Sequence, residues 1–189
     1  MEDQIGIRRW HIPICGFTQS LDGPSGMDRL WRKLRPLASE QTSLIPPQRW
    51  RADWSALAEF IARHHPSVGV PDVRVYAYSW GCGHGFASLA RQLGRRGIPI
   101  RFAVLSDPVY HSWCRPWRAM IFSPAIKIPT NVREVYWFRQ RQNRPRAADL
   151  FAADPQGTKI HQPVLLHRNH EYMDDAPGFH ALCLEVASR

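Results

Sequence analysis

No stretch of the 189-residue chain approaches the roughly 20 apolar residues that a membrane-crossing helix needs. Lysine is scarce. Only Lys33, Lys127 and Lys159 contribute to the 25 basic residues, and the rest are arginine. The four cysteines, Cys15, Cys82, Cys114 and Cys183, form no CxxC pair, which speaks against a zinc knuckle or a thioredoxin-like redox motif. Four cysteines in a domain of this size do not make a disulfide scaffold either. There is no internal repeat and no low-complexity tract. The N-terminus, MEDQIGIRRWHIPIC, lacks the charged-then-apolar pattern of a signal segment. A reducing, cytoplasmic location is therefore expected. The phosphate-binding patterns are missing as well: no glycine-rich loop ends in Lys followed by Ser or Thr, and no GxGxxG fingerprint occurs.

What remains is an ordinary globular composition, 44% hydrophobic and 22% charged, in a length that suits one domain over residues 1–189. The formal net charge is +9. A basic solvated surface accounts for it, and so does attraction to an anionic partner such as nucleic acid, acidic lipid or an acidic substrate. The densest basic run, FRQRQNRPR, also carries Gln and Asn and reads as a loop. No helix-turn-helix or aromatic RNA-binding motif accompanies it, so nucleic acid is not the expected partner. Eight tryptophans are many for this length; they suit a core or the lining of an apolar cleft.

Along the chain, short apolar runs alternate with amphipathic stretches, the pattern of a parallel sheet covered by helices. RRWHIPICGF, TSLIPPQRW, VRVYAYS, IPIRFAVLSDPV, VREVYWFRQ and QPVLLHRNH read as strands. MDRLWRKLRPLA, DWSALAEFIARHH, FASLARQLGRRG and DDAPGFHALCLEVAS read as helices, with Asp53 capping the second and Asp174 or Asp175 the last. PRAADLFAAD reads as loop or short helix. The expectation is a three-layer α/β/α sandwich on a mostly parallel sheet of about six strands.

The motif that carries chemistry is Ala77-Tyr78-Ser79-Trp80-Gly81, placed after a β-rich strand and before a helix. A sharp strand-to-helix turn excludes bulky side chains two residues either side of its centre, and Ala77 and Gly81 satisfy that demand. The serine would then stand at the N-terminus of a helix, where free N–H groups favour developing negative charge. A turn that merely packs is the bland alternative. Cys82 is a rival nucleophile, one turn inside the helix.

This motif resembles the nucleophile elbow of the α/β-hydrolase family, with Ala77 in place of the usual first glycine. The resemblance runs in order from about residue 10 to 186 and is similar in scale to small lipases, esterases and thioesterases. It implies the chain order Ser, acid, His. His170, in His170-Glu171-Tyr172-Met173-Asp174, resembles the histidine loop of lipase-like members and is the implied base, whereas His161, His167 and His180 read as structural or surface residues. Asp107, in Asp-Pro-Val at the end of IRFAVLS, is the favoured acid. Many members place the acid one strand later, and there the first carboxylates are Asp149 and Asp154, so these stay open. The resemblance also implies an oxyanion hole from the backbone N–H groups of Trp80 and of Phe17, in Cys15-Gly16-Phe17-Thr18. Residues 111–130, with Trp113, Trp117, Met120, Ile121 and Phe122, read as a short apolar cap or a packed connection.

The expected activity is hydrolysis of a small-molecule carboxylic ester, with thioesters and lipid esters as sub-cases. It requires no metal or organic cofactor. Two rivals stay open: a non-catalytic binding protein that kept the fold, and a basic protein whose partner is anionic.

Overall fold

A computed structural model describes residues 8–17, 19, 24–64, 71–110 and 125–189. Nine strands run through these residues: β1 Arg9–Ile14, β2 Thr42–Leu44, β3 Asp72–Tyr78, β4 Ile100–Ser106, β5 Ala125–Ile128, β6 Val132–Arg139, β7 Asp149–Ala152, β8 Lys159–Ile160 and β9 Val164–Leu165. Four α-helices accompany them: α1 Gly26–Leu34, α2 Trp54–Arg63, α3 Ala87–Gly94 and α4 Pro177–Ser188. The main sheet has seven strands in the order β2-β1-β3-β4-β6-β8, with β9 also on β6, and β5 and β7 form a separate pair. Every pairing between these strands is parallel.

The architecture follows from which faces are apolar. β3 is buried along its whole length, as a central parallel strand must be. Its Val73, Val75 and Ala77 join Trp54, Ala58 and Ile61 of α2 and Leu89 and Leu93 of α3 in one core. Its Tyr76 and Tyr78 join Met27, Leu30 and Leu34 of α1 and Phe179, Cys183 and Val186 of α4 in a second. Alternate residues of a strand face opposite sides, so two cores imply two helical layers around one sheet. Helix α2 starts where expected, with the Ala56 amide donating to the Asp53 carboxylate at 2.9 Å.

Arg74 is fully buried in the second layer. It donates to both carboxylate oxygens of Asp72, at 3.0 and 2.6 Å, and to the Val186 carbonyl of α4. Arg9 and Arg101 approach the same carboxylate, which lies below its ordinary pKa because these hydrogen bonds and charges outweigh its burial.

Four local expectations are corrected. The stretch read as loop or short helix contains β7, because its backbone finds a partner in β5, a tertiary event that no local pattern announces. The expected last strand, QPVLLHRNH, shrinks to β9, with β8 lying just before it, so His167 falls in an exposed loop rather than in a strand. Helix α4 is capped by neither Asp174 nor Asp175; its N-cap is Ala176, and Pro177 at the first position needs no N–H partner. Finally, 125–128 is a strand, while residues 111–124 of the expected cap segment lie outside the described residues.

Candidate active site

The turn after β3 brings Ser79 to the carboxyl end of the sheet, the edge at which open α/β sheets form their crevices. Ser79 has φ of 53°, a left-handed conformation rare for a residue with a side chain. The turn is held from both sides. The Ser79 amide donates to the Ser106 carbonyl at 2.9 Å, and the Ser79 carbonyl accepts from Cys82 at 3.0 Å and from Val109 at 3.1 Å. A side chain at Gly81 would place its Cβ 2.6 Å from the Cys15 carbonyl oxygen and 2.8 Å from that of Ile14. Gly83 faces the Val109 carbonyl more closely still. The helix therefore starts hard against the ends of neighbouring strands, and only glycine permits it. Its first turn, Gly81–Phe86, is wound as a π-helix before α3 begins.

His170 meets the serine from the other end of the chain. Its Nε2 lies 2.9 Å from Ser79 Oγ, and its Nδ1 lies 2.6 Å from Asp107 Oδ2. Asp107 follows β4, is fully buried, and also adopts a positive φ, 45°. Two further donors converge on its carboxylate: the Gln140 backbone amide on Oδ1 at 3.2 Å and the Gln140 side-chain amide on Oδ2 at 3.1 Å. Asp149 instead pairs with Arg139 at 3.1 Å on an exposed strand, and Asp154 accepts from the Gln156 amide within its own turn. Of the three carboxylates considered, Asp107 is the one that touches the imidazole.

The loop that carries His170, a 3₁₀ turn over His170–Tyr172, is tied down at three points. The Asn143 carboxamide accepts from the His170 amide at 2.7 Å, the Tyr78 hydroxyl donates to the His170 carbonyl at 2.8 Å, and Ser106 Oγ donates to the Met173 carbonyl at 2.8 Å. The Tyr78 ring also lies against the imidazole, with centroids 5.2 Å apart. Burial, then the charges of Asp174, Asp107 and Glu171, push the Tyr78 phenol well above its ordinary pKa, so it serves as a neutral donor.

The remaining histidines stand elsewhere. His161 bonds Glu134 at 2.6 Å and stacks on Tyr136. His180 is buried in α4, between the Asp174 carbonyl and Lys33. Cys82 is also excluded: it is fully buried, and that burial raises its thiol pKa well above the usual value.

The loop after β1 crosses directly over the serine. A Cβ on Gly16 would come within 3.1 Å of Ser79 Cβ. The Cys15 amide donates to the Gln48 carbonyl and the Gly16 amide to Gln19 Oε1, both at 2.8 Å, while Gln19 in turn donates to Asp174. Beyond this loop an aromatic shelf extends. The Phe17 ring lies 5.1 Å from that of Trp80 and 5.7 Å from that of Trp50; Trp80 stacks on His84 at 4.7 Å, and His84 lies 5.0 Å from Tyr110. Phe17 and Tyr110 are exposed, and Trp50, Trp80 and His84 are half-buried.

Sequence reasoning missed Gln140, Asn143 and Gln19. Each is a neutral amide in a polar loop, and nothing in its local sequence separates it from a solvated residue. The only available signal is that Gln140 directly follows the strand beside the one that carries Asp107.

Among the described residues, no group of His, Cys, Asp and Glu is arranged to hold a metal ion, and no helix is long and apolar enough to cross a membrane. No protein-family model and no curated protein matches the chain. Solved structures do. RedJ with a PEG molecule bound in its active site matches with a TM-score of 0.52 at 11% identity, over 97% of this chain and 92% of that one. A second structure, described as the RedJ thioesterase from the prodiginine biosynthetic pathway in Streptomyces coelicolor, matches with a TM-score of 0.47 at 12% identity, over 97% and 90%. The likeness to the first covers nearly the whole chain and establishes a common α/β fold, a mostly parallel sheet flanked by helices.

Proposed function

We propose that this protein is a serine hydrolase that cleaves a carboxylic ester, thioesters and lipid esters included, by way of an acyl-enzyme. One observation carries the reading: the continuous hydrogen-bonded chain from Ser79 Oγ through the imidazole of His170 to the buried carboxylate of Asp107, at 2.9 and 2.6 Å. A hydroxyl is a poor nucleophile until a base takes its proton, and a base needs an orienting partner to present the right nitrogen. Here three residues far apart in the chain meet both conditions, with the serine on a strained turn.

The steps follow from that geometry. His170 Nε2 accepts the Ser79 proton as Oγ attacks the carbonyl carbon. Asp107 accepts the Nδ1 hydrogen bond and steadies the imidazolium. The carbonyl π electrons move onto oxygen, where the backbone N–H groups of Phe17 and Trp80 receive the negative charge. Collapse expels the alcohol or thiol, which takes its proton from His170. Water, deprotonated by His170, then attacks the acyl-enzyme, and collapse releases the acid and restores Ser79. No step requires a metal or an organic cofactor. The aromatic shelf from Phe17 and Trp50 to Tyr110 adjoins the nucleophile and offers apolar surface to the substrate's acyl or leaving group. The described cysteines, Cys15, Cys82 and Cys183, are free and buried, which suits a reducing, cytoplasmic setting.

The test uses p-nitrophenyl esters of graded acyl length, together with a fluorophosphonate probe. Wild type is expected to hydrolyse them and to be labelled at Ser79. Ser79→Ala should lose both properties, and His170→Ala should lose turnover by about 10³-fold or more. Esterase activity that survives in both variants defeats the proposal. A folded wild type that is neither active nor labelled favours a binding protein on the same fold.

A further inference from the structure

We infer that Gln140 is a positioning residue that sets acid and base together, by aiming the Asp107 carboxylate and, through Asn143, fixing the backbone of His170. This rests on the reading of Ser79, His170 and Asp107 as a triad. Gln140 is 1% exposed and follows β6 directly. Its backbone amide and its Nε2 reach the two different oxygens of Asp107. Its Oε1 accepts from the Gln142 amide at 2.6 Å and from the Asn143 amide at 3.0 Å, and its Nε2 also reaches the carbonyls of Asn143 and Pro145 at 3.1 and 2.9 Å. One side chain thus folds the 140–145 turn and grips the acid.

The turn presents Asn143 to the base loop. Asn143 Oδ1 accepts from the His170 amide at 2.7 Å, and its Nδ2 donates to Glu171 at 2.9 Å. The acid and the base sit on different loops, and the 2.6 Å bond between them requires both loops to be placed at once. Gln140 and Asn143 form one route that links them outside the imidazole itself, beside the bond from Ser106 to the Met173 carbonyl. A carboxylate at position 140 could not substitute, because its oxygens would face Asp107 and two carbonyls with no hydrogens to donate. An amide is the side chain that can accept from two backbone N–H groups and donate toward a carboxylate from the same place.

The experiment compares Gln140→Leu, Asn143→Ala and Asn143→Asp combined with Glu171→Gln with wild type. The readouts are kcat and KM on p-nitrophenyl butyrate, and the far-downfield proton NMR signal of the His170 Nδ1–H held by Asp107. Gln140→Leu and Asn143→Ala are expected to lower kcat on the order of 10- to 100-fold with KM changed less than about twofold, and to shift or broaden the downfield proton. Asn143→Asp keeps the acceptor for the His170 amide but loses the donor to Glu171; made together with Glu171→Gln, so that an amide rather than a second carboxylate faces position 143, it should recover most of the Asn143→Ala loss. Should Gln140→Leu not fold, the half-buried Asn143 pair decides alone. Folded variants that keep wild-type kcat and an unmoved downfield signal overturn the inference; so does a loss in Asn143→Ala that Asn143→Asp combined with Glu171→Gln leaves in place. The NMR signal depends on the bond between His170 and Asp107 and not on turnover. If the wild type proves inactive, the hydrolase reading fails, while the signal still decides whether Gln140 and Asn143 set that bond.

Discussion

Replacing Asp107 by Asn is the sharpest probe of its proposed role as the acid, and the structure dictates the expected outcome. The backbone there has φ of 45°, a conformation that Asn tolerates better than most residues, so the substitution changes chemistry without forcing the turn. The difficulty lies in the hydrogen bonds. Three donors converge on a fully buried carboxylate: the Gln140 amide on Oδ1, and Gln140 Nε2 and His170 Nδ1 on Oδ2. An Asn side chain has only one acceptor oxygen. With that oxygen toward His170, its NH₂ confronts the fixed Gln140 backbone N–H, and a buried donor is left unmatched at about 1–3 kcal/mol. With the NH₂ toward His170, the imidazole must carry its proton on Nε2, where it cannot accept the Ser79 proton. In the first arrangement the charge that steadies the imidazolium is gone; in the second the tautomer is wrong. The expected loss in kcat/KM is about 10³–10⁴-fold, the scale seen when a triad acid becomes an amide. Urea unfolding should show a stability loss of about 1–3 kcal/mol. The assay is kcat/KM on p-nitrophenyl butyrate with unfolding midpoints measured beside it, and Asp149→Asn and Asp154→Asn as companions. A folded Asp107→Asn protein that retains more than about a tenth of wild-type activity refutes the reasoning, as does a comparable loss on changing Asp149 or Asp154 instead.

Two other predictions concern the scaffold. Gly81→Ala drives a methyl group into the carbonyls of Cys15 and Ile14; it should cost about 1–3 kcal/mol in urea unfolding and reduce fluorophosphonate labelling of Ser79, and wild-type values for both would show that the turn is not sterically set there. His11 is buried, its Nδ1 2.8 Å from the Tyr76 hydroxyl, and burial, followed by the charges of Arg74 and Arg9, lowers its pKa from the ordinary 6.5 to about 3. Above pH 6.5 the ring is neutral in folded and unfolded chains alike. Below that, the unfolded chain takes up a proton that the folded protein refuses, so stability should fall by about 1.4 kcal/mol per pH unit until pH approaches 3. His180 is lowered chiefly by burial and acts in the same direction. His11→Leu should flatten this acid decline in urea midpoints measured from pH 7 to pH 4.5, and an unchanged slope would mean that His11 does not titrate in that range.

The local code was sufficient for the sheet's central strands, for α1, α2 and α3, and for the serine turn. These elements rest on short-range physics. Val73, Val75 and Ala77 alternate with Tyr76 and Tyr78 as a strand covered on both faces demands, and Ala77 and Gly81 leave room around Ser79 that larger residues would fill. The pairing of β5 with β7 and the start of α4 at Ala176 were not legible, because each depends on contacts with distant segments rather than on propensity. The choice among Asp107, Asp149 and Asp154 was legible in part: the place of Asp107 at the end of an apolar strand favoured it but left the other two open. Only the convergence of β4, β6 and the loop after β9 puts Asp107 within 2.6 Å of an imidazole. Gln140 and Asn143 lay further out of sight, since an amide's value comes wholly from what folding places around it. What the chain alone determined was therefore the layered sheet and the position of a strained serine, both products of residue size and spacing. What the tertiary structure decided was which acid and which amides reach the histidine, because hydrogen-bond partners from separate strands are set by the packing of the whole sheet.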